Sequence, residues 1–266
     1  MHSDSSNQPY EFRDTRPWFQ YAMGGIAGAG IVLTVSLLKG GARENPALLT
    51  LAGVVVVGTL IALAVVYFHF GQTVVLQATS EGIERTCGEK RQLIAYEQLA
   101  GLRSKWTDIL RNGVYQRTNV ALEFVSEERE APIMKFHASA DYGTPKFEQL
   151  QEFQESIAAV VADRMADLLD EKGRVSWTSR LAILPTGIEF TKREGAPPEQ
   201  IDFERVSQWK TDQGLFKLGL DGGKKPYLVE KTSEWNFLPG LLLFSRLFDS
   251  PGSQSTIGNE LHLAIN

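Results

Sequence analysis

The sequence predicts an α+β protein in which an N-terminal hairpin of two transmembrane helices is followed by two similar modules of antiparallel strands. Two long uncharged apolar runs near the N-terminus predict the hairpin. Two sets of short alternating runs, each followed by a helical pattern, predict the modules and a C-terminal helix that closes each one. A Gly-Ile-Glu motif that occurs once in each set indicates that the modules are duplicates.

The composition excludes several classes of protein. The 266 residues carry 27 basic and 32 acidic side chains, a net charge of −5. No stretch is strongly basic, so a nucleic-acid partner is not expected, because such binders need cations to displace counterions from phosphates. The single cysteine, Cys87, rules out an intrachain disulfide. No phosphate-binding loop, nucleophile motif or metal-ligand spacing occurs, so we expect no enzyme, no cofactor and no metal site.

The membrane segment is predicted to span residues 18–70. Residues 18–38 carry no charge and are long enough for one span. Residues 47–70 form a second run whose only ionisable side chain is His69, at its end. The connection is short and contains Gly and Pro, so the two helices must run antiparallel. The polar segment 1–17 is predicted to be a disordered tail. A cleaved signal peptide is disfavoured, because this tail is long and the apolar run exceeds a signal core.

Small residues on the first helix predict where it packs. Gly24 and Gly28 have the small-xxx-small spacing that lets two helix backbones approach closely, so this face is expected to pack on the second helix or on another copy of the chain. Lysine and arginine are more numerous beyond the two outer ends than in the loop between the spans. This distribution favours cytoplasmic termini and cytoplasmic modules.

The first module is predicted to occupy residues 72–172. Its strands alternate polar and apolar residues, and a long amphipathic helix over 145–172 closes it. Thr144 can cap this helix, Pro145 suits the first helical position and Gly173 can end it.

The second module, residues 173–250, repeats this order. The segment Gly82–Glu84 matches Gly187–Glu189, and Ile94–Leu99 matches Ile201–Val206. Repetition at this scale indicates a duplicated supersecondary unit. A shorter helix near the end closes the second module, and the remaining polar residues are predicted to be a disordered tail, 251–266.

The second half also resembles a known family. The residues that carry the resemblance are Gly173, Trp177, Leu184–Ile188, Ile201–Val206, Gly214–Phe216 and Trp235–Leu241. Together with the first module, over residues 72–248, they are similar to an uncharacterised bacterial membrane-anchored family, of the domain-of-unknown-function type, with tandem pleckstrin-homology-like (PH-like) domains. Phe203 stands where that family tends to have tryptophan. The resemblance implies that each module is a bent antiparallel sheet or barrel plugged by its helix, and it implies no activity.

One basic set is a candidate lipid contact. Arg103, Lys105, Arg111 and Arg117 lie in the predicted strand-loop-strand around Trp106. Each charge close to an anionic bilayer contributes about 1 kcal/mol, so these side chains could contact lipid headgroups. The alternative is that they pair with the acidic residues of the same module.

The function expected from the sequence is that of a membrane-tethered binding or scaffolding protein of a bacterial inner membrane. Its partners would be the lipid bilayer and another membrane protein or a second copy of itself. The alternative is a subunit of a small oligomeric channel or transporter, with the modules as a regulatory cap. Neither predicted span contains an acid or base at membrane depth, which argues against ion coupling.

Overall fold

The computed structural model describes residues 10–14, 17–39, 46–70, 73–128, 133–193, 195–223 and 225–248. The protein combines helices with antiparallel sheets, as an α+β class requires. The chain divides into two compact units. One comprises Glu11–Gln77 and Arg85–Gln92, and the other comprises Ala78–Glu84 and the chain from Leu93 onward.

The helices are α1 (Pro17–Leu37), α2 (Pro46–Phe70), α3 (Pro145–Lys172) and α4 (Phe237–Phe248). The strands of the first half are β1 (Glu11–Asp14), β2 (Val74–Ala78), β3 (Gly82–Cys87), β4 (Lys90–Ala95), β5 (Leu99–Arg111), β6 (Val114–Ser126) and β7 (Met134–Ala140). Those of the second half are β8 (Val175–Ser176), β9 (Leu181–Leu184), β10 (Gly187–Phe190), β11 (Glu199–Asp202), β12 (Val206–Asp212), β13 (Leu215–Leu220) and β14 (Leu228–Lys231).

A strand precedes the helices, which corrects part of the prediction that residues 1–17 are a disordered tail. Strand β1 pairs antiparallel with β2, from Glu11 opposite Gln77 to Asp14 opposite Val74. Phe12 is buried between its exposed neighbours, as the alternation of a strand requires. Residues 1–9 of that predicted tail, and all of the tail predicted over 251–266, lie outside the described residues.

Helix α2 is the most apolar element of the described chain. It is long and apolar enough to cross a membrane over Pro46–Tyr67, and its most apolar stretch has a mean hydropathy of 2.7 with 6% of it buried. In α1 (Pro17–Leu37), the part whose side chains the structure describes, Met23–Leu37, is apolar. The described residues therefore give one helix that meets the criteria for a span, where the sequence predicted spans over both 18–38 and 47–70.

The two apolar helices contact each other at Gly30. A Cβ atom at Gly30 would overlap the side chain of Thr59, so α1 and α2 approach closely there. No described atom outside the helix lies within 4 Å of a Cβ position at Gly24 or Gly28. The packing of these two glycines on the second helix or on another copy of the chain stays a prediction.

The same succession of elements occurs twice. In the first repeat a four-stranded sheet in the order β1-β2-β3-β4 is followed by a three-stranded sheet, β5-β6-β7, and by α3. In the second repeat the strands β8 to β11 form a sheet in the same sequential order, followed by β12-β13-β14 and α4. In both repeats a single 3₁₀ turn, Tyr96–Gln98 or Phe203–Arg205, connects the two sheets. The helices α1 and α2 thus lie between the first and second strands of the first repeat.

The closing helices are held by local and tertiary contacts. Helix α3 has the predicted bounds: the Thr144 side chain accepts a hydrogen bond from the Phe147 amide, and Gly173 ends the helix in the left-handed conformation. Helix α4 packs on Trp177, which is 1% exposed and donates from Nε1 to the Phe237 carbonyl at 2.8 Å. A Cβ at Gly240 would overlap this indole ring, so the helix approaches it closely.

Candidate functional site: a cleft between the two repeats

The described chain has a cleft of about 280 Å³ between the two repeats. Both walls belong to the same compact unit. The first repeat supplies Ser104, Lys105, Trp106, Gln151, Gln154 and Glu155 from β5 and α3. The second repeat supplies Thr211, Gln213, Gly214, Thr232, Ser233, Phe237 and Leu238.

A backbone clasp holds the two walls together. Asn236, just before α4, donates its backbone N–H to the Leu102 carbonyl at 2.8 Å. Its side-chain oxygen accepts the Leu102 N–H at 2.9 Å, so the residue pairs with β5 as a strand would. The Arg103 Nε adds a 3.0 Å bond to the Ser233 carbonyl. Asn236 has a φ of 56°, a conformation that asparagine tolerates better than most residues.

The closing helices also contact each other directly. Helices α3 and α4 pack together, and Arg246 on α4 forms a 2.5 Å ion pair with Asp163 on α3, with both side chains largely exposed. An exposed pair of this kind adds little stability. The two walls of the cleft are therefore held by the clasp at Asn236 together with the packing of the helices.

A buried glutamine side chain orders the wall of the cleft that the first repeat supplies. The Gln154 side chain, 8% exposed, accepts a hydrogen bond from Trp106 Nε1 at 2.5 Å. Phe147 packs edge-on against the same indole at 5.1 Å between ring centroids. Beside them, desolvation raises the pKa of the Glu155 carboxyl, and the negative charge of Glu152 acts in the same direction.

The lining offers hydrogen bonds in place of reactive groups. Its polar members are four hydroxyls, three side-chain amides, one lysine and one glutamate. None of the described lining residues is histidine, cysteine or aspartate. Hydroxyls and amides can both donate and accept, so this surface suits a small polar ligand that is bound through hydrogen bonds.

The predicted basic set is divided between two places. Arg103 contacts the second repeat and lies 3.5 Å from Glu123, and Lys105 lines the cleft. Arg111 and Arg117 lie at the far end of the same hairpin, near its turn at Asn112 and Gly113. The predicted strand-loop-strand is the hairpin of β5 and β6: Trp106 lies within β5, which continues to Arg111, and the turn follows it. The contact of the four side chains with lipid stays a prediction.

The sequence reasoning missed the cleft itself. Its residues come from five separate segments, and no local pattern indicates that Gln154 and Gln213 face a common space. One signal was available at Asn236. Asparagine tolerates a positive φ better than most residues, but the sequence predicted a helix over Trp235–Phe248, which placed Asn236 inside it, whereas α4 begins at Phe237.

Comparison with known proteins gives no relative for this chain: no family model matches it, and no curated protein matches it.

Proposed function

We propose that this chain is a membrane-tethered binding protein: a two-span hairpin formed by α1 and α2 anchors two tandem PH-like modules, and the cleft between the modules binds a small polar ligand. The modules and both termini lie on the cytoplasmic side of a bacterial inner membrane. Each part of this proposal has its own support.

The surface of the helices supports the membrane anchor. Among the described residues between Ile31 and Tyr67, fourteen large apolar side chains are exposed, and Val32 has the highest exposure, 65%. An apolar surface on all sides of a helix belongs in lipid. The threonine hydroxyls there are bonded within the helix: Thr34 donates to the Gly30 carbonyl at 2.8 Å, and Thr59 to the Val55 carbonyl at 2.7 Å. This internal bonding is what a hydrocarbon environment requires.

The observation that carries the proposal is the pairing of β1 with β2. Asp14 lies opposite Val74, so the chain leaves the sheet and returns to it at neighbouring positions. Both ends of the intervening segment must then lie on the same side of any membrane that it enters. An even number of crossings follows, so if α2 crosses the bilayer, a second segment has to cross back. Helix α1 is the other apolar helix in that segment.

The repeated architecture supports the PH-like assignment. Each repeat has a sheet of four strands, a sheet of three strands and one closing helix. This is the organisation that the family resemblance implies, with each helix burying apolar residues, such as Phe153 in the first repeat and Phe244 in the second. Folds of this kind serve binding and scaffolding, so the activity has to be sought in a site.

The anchor is tested by membrane fractionation. The full chain should stay with the membrane after alkaline extraction and should need detergent for release. A variant in which residues 15–73 are replaced by Asn-Gly should remain in the aqueous fraction. Release of the full chain by alkali alone would show that α1 and α2 do not span the bilayer.

The binding role is tested at the cleft. We expect a small polar molecule to accompany the full chain when it is purified in mild detergent, and to be detected by mass spectrometry after denaturation. Thr211→Trp fills the cleft from strand β12 and should abolish this retention, whereas Glu81→Gln, in the turn between β2 and β3, should not. A molecule retained equally by both variants, or by neither the variants nor the parent chain, would contradict binding in the cleft.

A further inference from the structure

The β5–β6 hairpin has an extension that its counterpart in the second repeat lacks. Strands β5 and β6 have 13 residues each, whereas β12 and β13 have 7 and 6. The third strand, β7, pairs with β6 only as far as Thr118 opposite Ala140. Residues Leu110–Arg117, here called the hairpin tip, therefore project as a two-stranded ribbon.

The hairpin tip exposes apolar side chains on both faces of its ribbon. Leu110, 61% exposed, pairs with Tyr115, and Val114, 62% exposed, pairs with Arg111 on the opposite face. Tyr142, 64% exposed, lies beside Tyr115, because its backbone N–H donates to the Tyr115 hydroxyl at 2.9 Å. Scattered exposed apolar residues are ordinary, but apolar side chains on both faces of one projecting turn mark a contact surface.

The same tip is basic. Arg111 pairs with Val114 across the turn, and Arg117 pairs with Ile109. Neither guanidinium has an ion pair within the part of the chain that the structure describes. At the corresponding hairpin of the second repeat, Lys217 is bonded to Asp212 at 2.8 Å. The tip thus presents unneutralised positive charge beside its apolar side chains.

The base of the tip is ordered by a chain of hydrogen bonds. Asp108 accepts from the buried Thr118 hydroxyl at 2.7 Å, and that hydroxyl lies 2.9 Å from the Tyr115 hydroxyl. The turn itself has Asn112 and Gly113 at positive φ, the pattern of a tight two-residue hairpin. The backbone that carries the apolar and basic side chains is therefore ordered in the free protein, which reduces the entropy lost on binding.

We propose that the hairpin tip inserts into the headgroup region of a lipid bilayer, with Leu110 and Val114 towards the acyl chains and the two arginines on lipid phosphates. This inference rests on the proposed function, because the proposed anchor is what brings the modules to a bilayer. Apolar side chains flanked by cations match an anionic interface in both polarity and charge. A protein that bound this surface would have to carry acidic groups of its own. Binding to such a protein is one of the outcomes that the test distinguishes.

The test uses the full chain, reconstituted in vesicles of phosphatidylcholine with and without phosphatidylglycerol. In a Cys87→Ser background, Val114→Cys carries an environment-sensitive fluorophore. Val229→Cys is the matched control, an exposed valine on a strand of the second repeat, and Leu60→Cys reports on α2. Quenching is measured with aqueous iodide and with nitroxide-labelled lipid.

We expect the label at position 114 to be shielded from iodide and quenched by nitroxide lipid, more so with phosphatidylglycerol, while the label at 229 stays in water. Replacing either arginine by alanine should lower the ratio of inserted to free tip about fivefold. A label at 114 in water, with the label at 60 in lipid, would overturn the tip proposal and leave the anchor intact. A label at 60 in water would overturn the anchor, and this inference with it. Shielding from iodide without quenching by nitroxide-labelled lipid would show that a protein surface covers the tip.

Discussion

Single glycines explain why one motif recurs in both repeats. A Cβ atom at Gly187 would overlap the carbonyl oxygen of Ile201, and one at Gly82 would overlap that of Ile94. In each repeat the neighbouring strand passes so close that only hydrogen fits. The motif pairs inferred from the sequence, Gly82 with Gly187 and Ile94 with Ile201, are thus the two sides of one contact.

Gly187→Ala should lower the free energy of unfolding of the second repeat by about 1–3 kcal/mol, because the added methyl forces the two backbones apart. Thr186→Ala, at the exposed preceding position, should change it by less than about 0.5 kcal/mol. Denaturant titration followed by tryptophan fluorescence measures both. Equal stability of the two variants would show that the strands tolerate a side chain there.

A buried carboxyl gives the second repeat a dependence on pH. Glu230 is 5% exposed, and burial raises the pKa of its carboxyl above the ordinary value of 4.5. The Arg180 guanidinium, 3.8 Å away, offsets this only in part. The carboxyl of Glu230 therefore binds a proton more tightly in the folded protein than in the unfolded chain. The contribution of this group to the free energy of unfolding is greatest below pH 4.5.

As the pH rises from 4.5 through the raised pKa, the folded state should lose up to about 1.4 kcal/mol per pH unit from this group. Glu230→Gln keeps the shape of the side chain and removes the titration, so its unfolding free energy should fall less steeply over the same range. The comparison is a series of denaturant titrations in mildly acidic buffers. Parallel slopes for the two proteins would mean that Glu230 is ionised equally easily in both states.

At the scale of single residues, the sequence identified the four basic side chains but did not predict which of them lie together. Alternation places Arg103 and Lys105 on one face of a strand, and they do share β5. The position of the turn, at Asn112 and Gly113, decides that Arg111 and Arg117 lie at a projecting tip. Asn-Gly is the strongest short hairpin signal, and it would have placed the turn correctly.

At the scale of elements, the clasp at Asn236 joins the closing helix of one repeat to a strand of the other. The residue combines a positive φ with a side-chain hydrogen bond to Leu102. Asparagine suits both the positive φ and the hydrogen bond, and losing either one costs stability. Substitution by alanine and by glycine separates the cost of the backbone conformation from that of the hydrogen bond.

Asn236→Ala should cost about 2–4 kcal/mol of unfolding free energy, since it loses the side-chain bond and strains the backbone. Asn236→Gly restores the backbone freedom and should recover about half of that loss. Thermal or denaturant unfolding of the full chain in detergent provides the values. A glycine variant no better than the alanine variant would assign the whole effect to the side-chain bond.

Strand β1 determines how the anchor can be removed. Because Asp14 lies opposite Val74, a two-residue Asn-Gly turn can replace residues 15–73 without changing the pairing. We expect this variant to be soluble without detergent and to show the circular dichroism of a mixed sheet and helix protein. A simple truncation that begins at residue 73 loses β1 and the buried Phe12, so it should be less stable by about 3 kcal/mol or more.

Equal stability of the excised and truncated chains would mean that β1 contributes nothing to the sheet.

The contrast between helix α3 and strand β1 shows which elements a sequence can predict. Helix α3 was predicted to the residue because its cap, its proline and its final glycine are adjacent to it. Strand β1 was missed because its partner lies beyond two long helices, and no local signal reports a pairing over that distance.

For the molecule as a whole, the order of elements links the fold to the membrane. The apolar helices occupy the connection between the first two strands of a repeat, a position filled in the second repeat by the four residues between β8 and β9. If α1 and α2 cross a bilayer as proposed, the chain returns to the sheet on the side from which it left. The cleft arises only from the contact between repeats, so no pattern within either one could have predicted it.

The direct test of this account is the sidedness of three positions in the full chain. In a Cys87→Ser background, single cysteines replace Arg13 before α1, Arg43 between the helices and Glu81 after β2, and a membrane-impermeant maleimide is applied to each side of intact membrane vesicles. The account predicts that positions 13 and 81 are labelled from the same side and position 43 from the opposite side. Labelling of all three from one side, or of 13 and 81 from opposite sides, would contradict a two-span anchor inserted between paired strands.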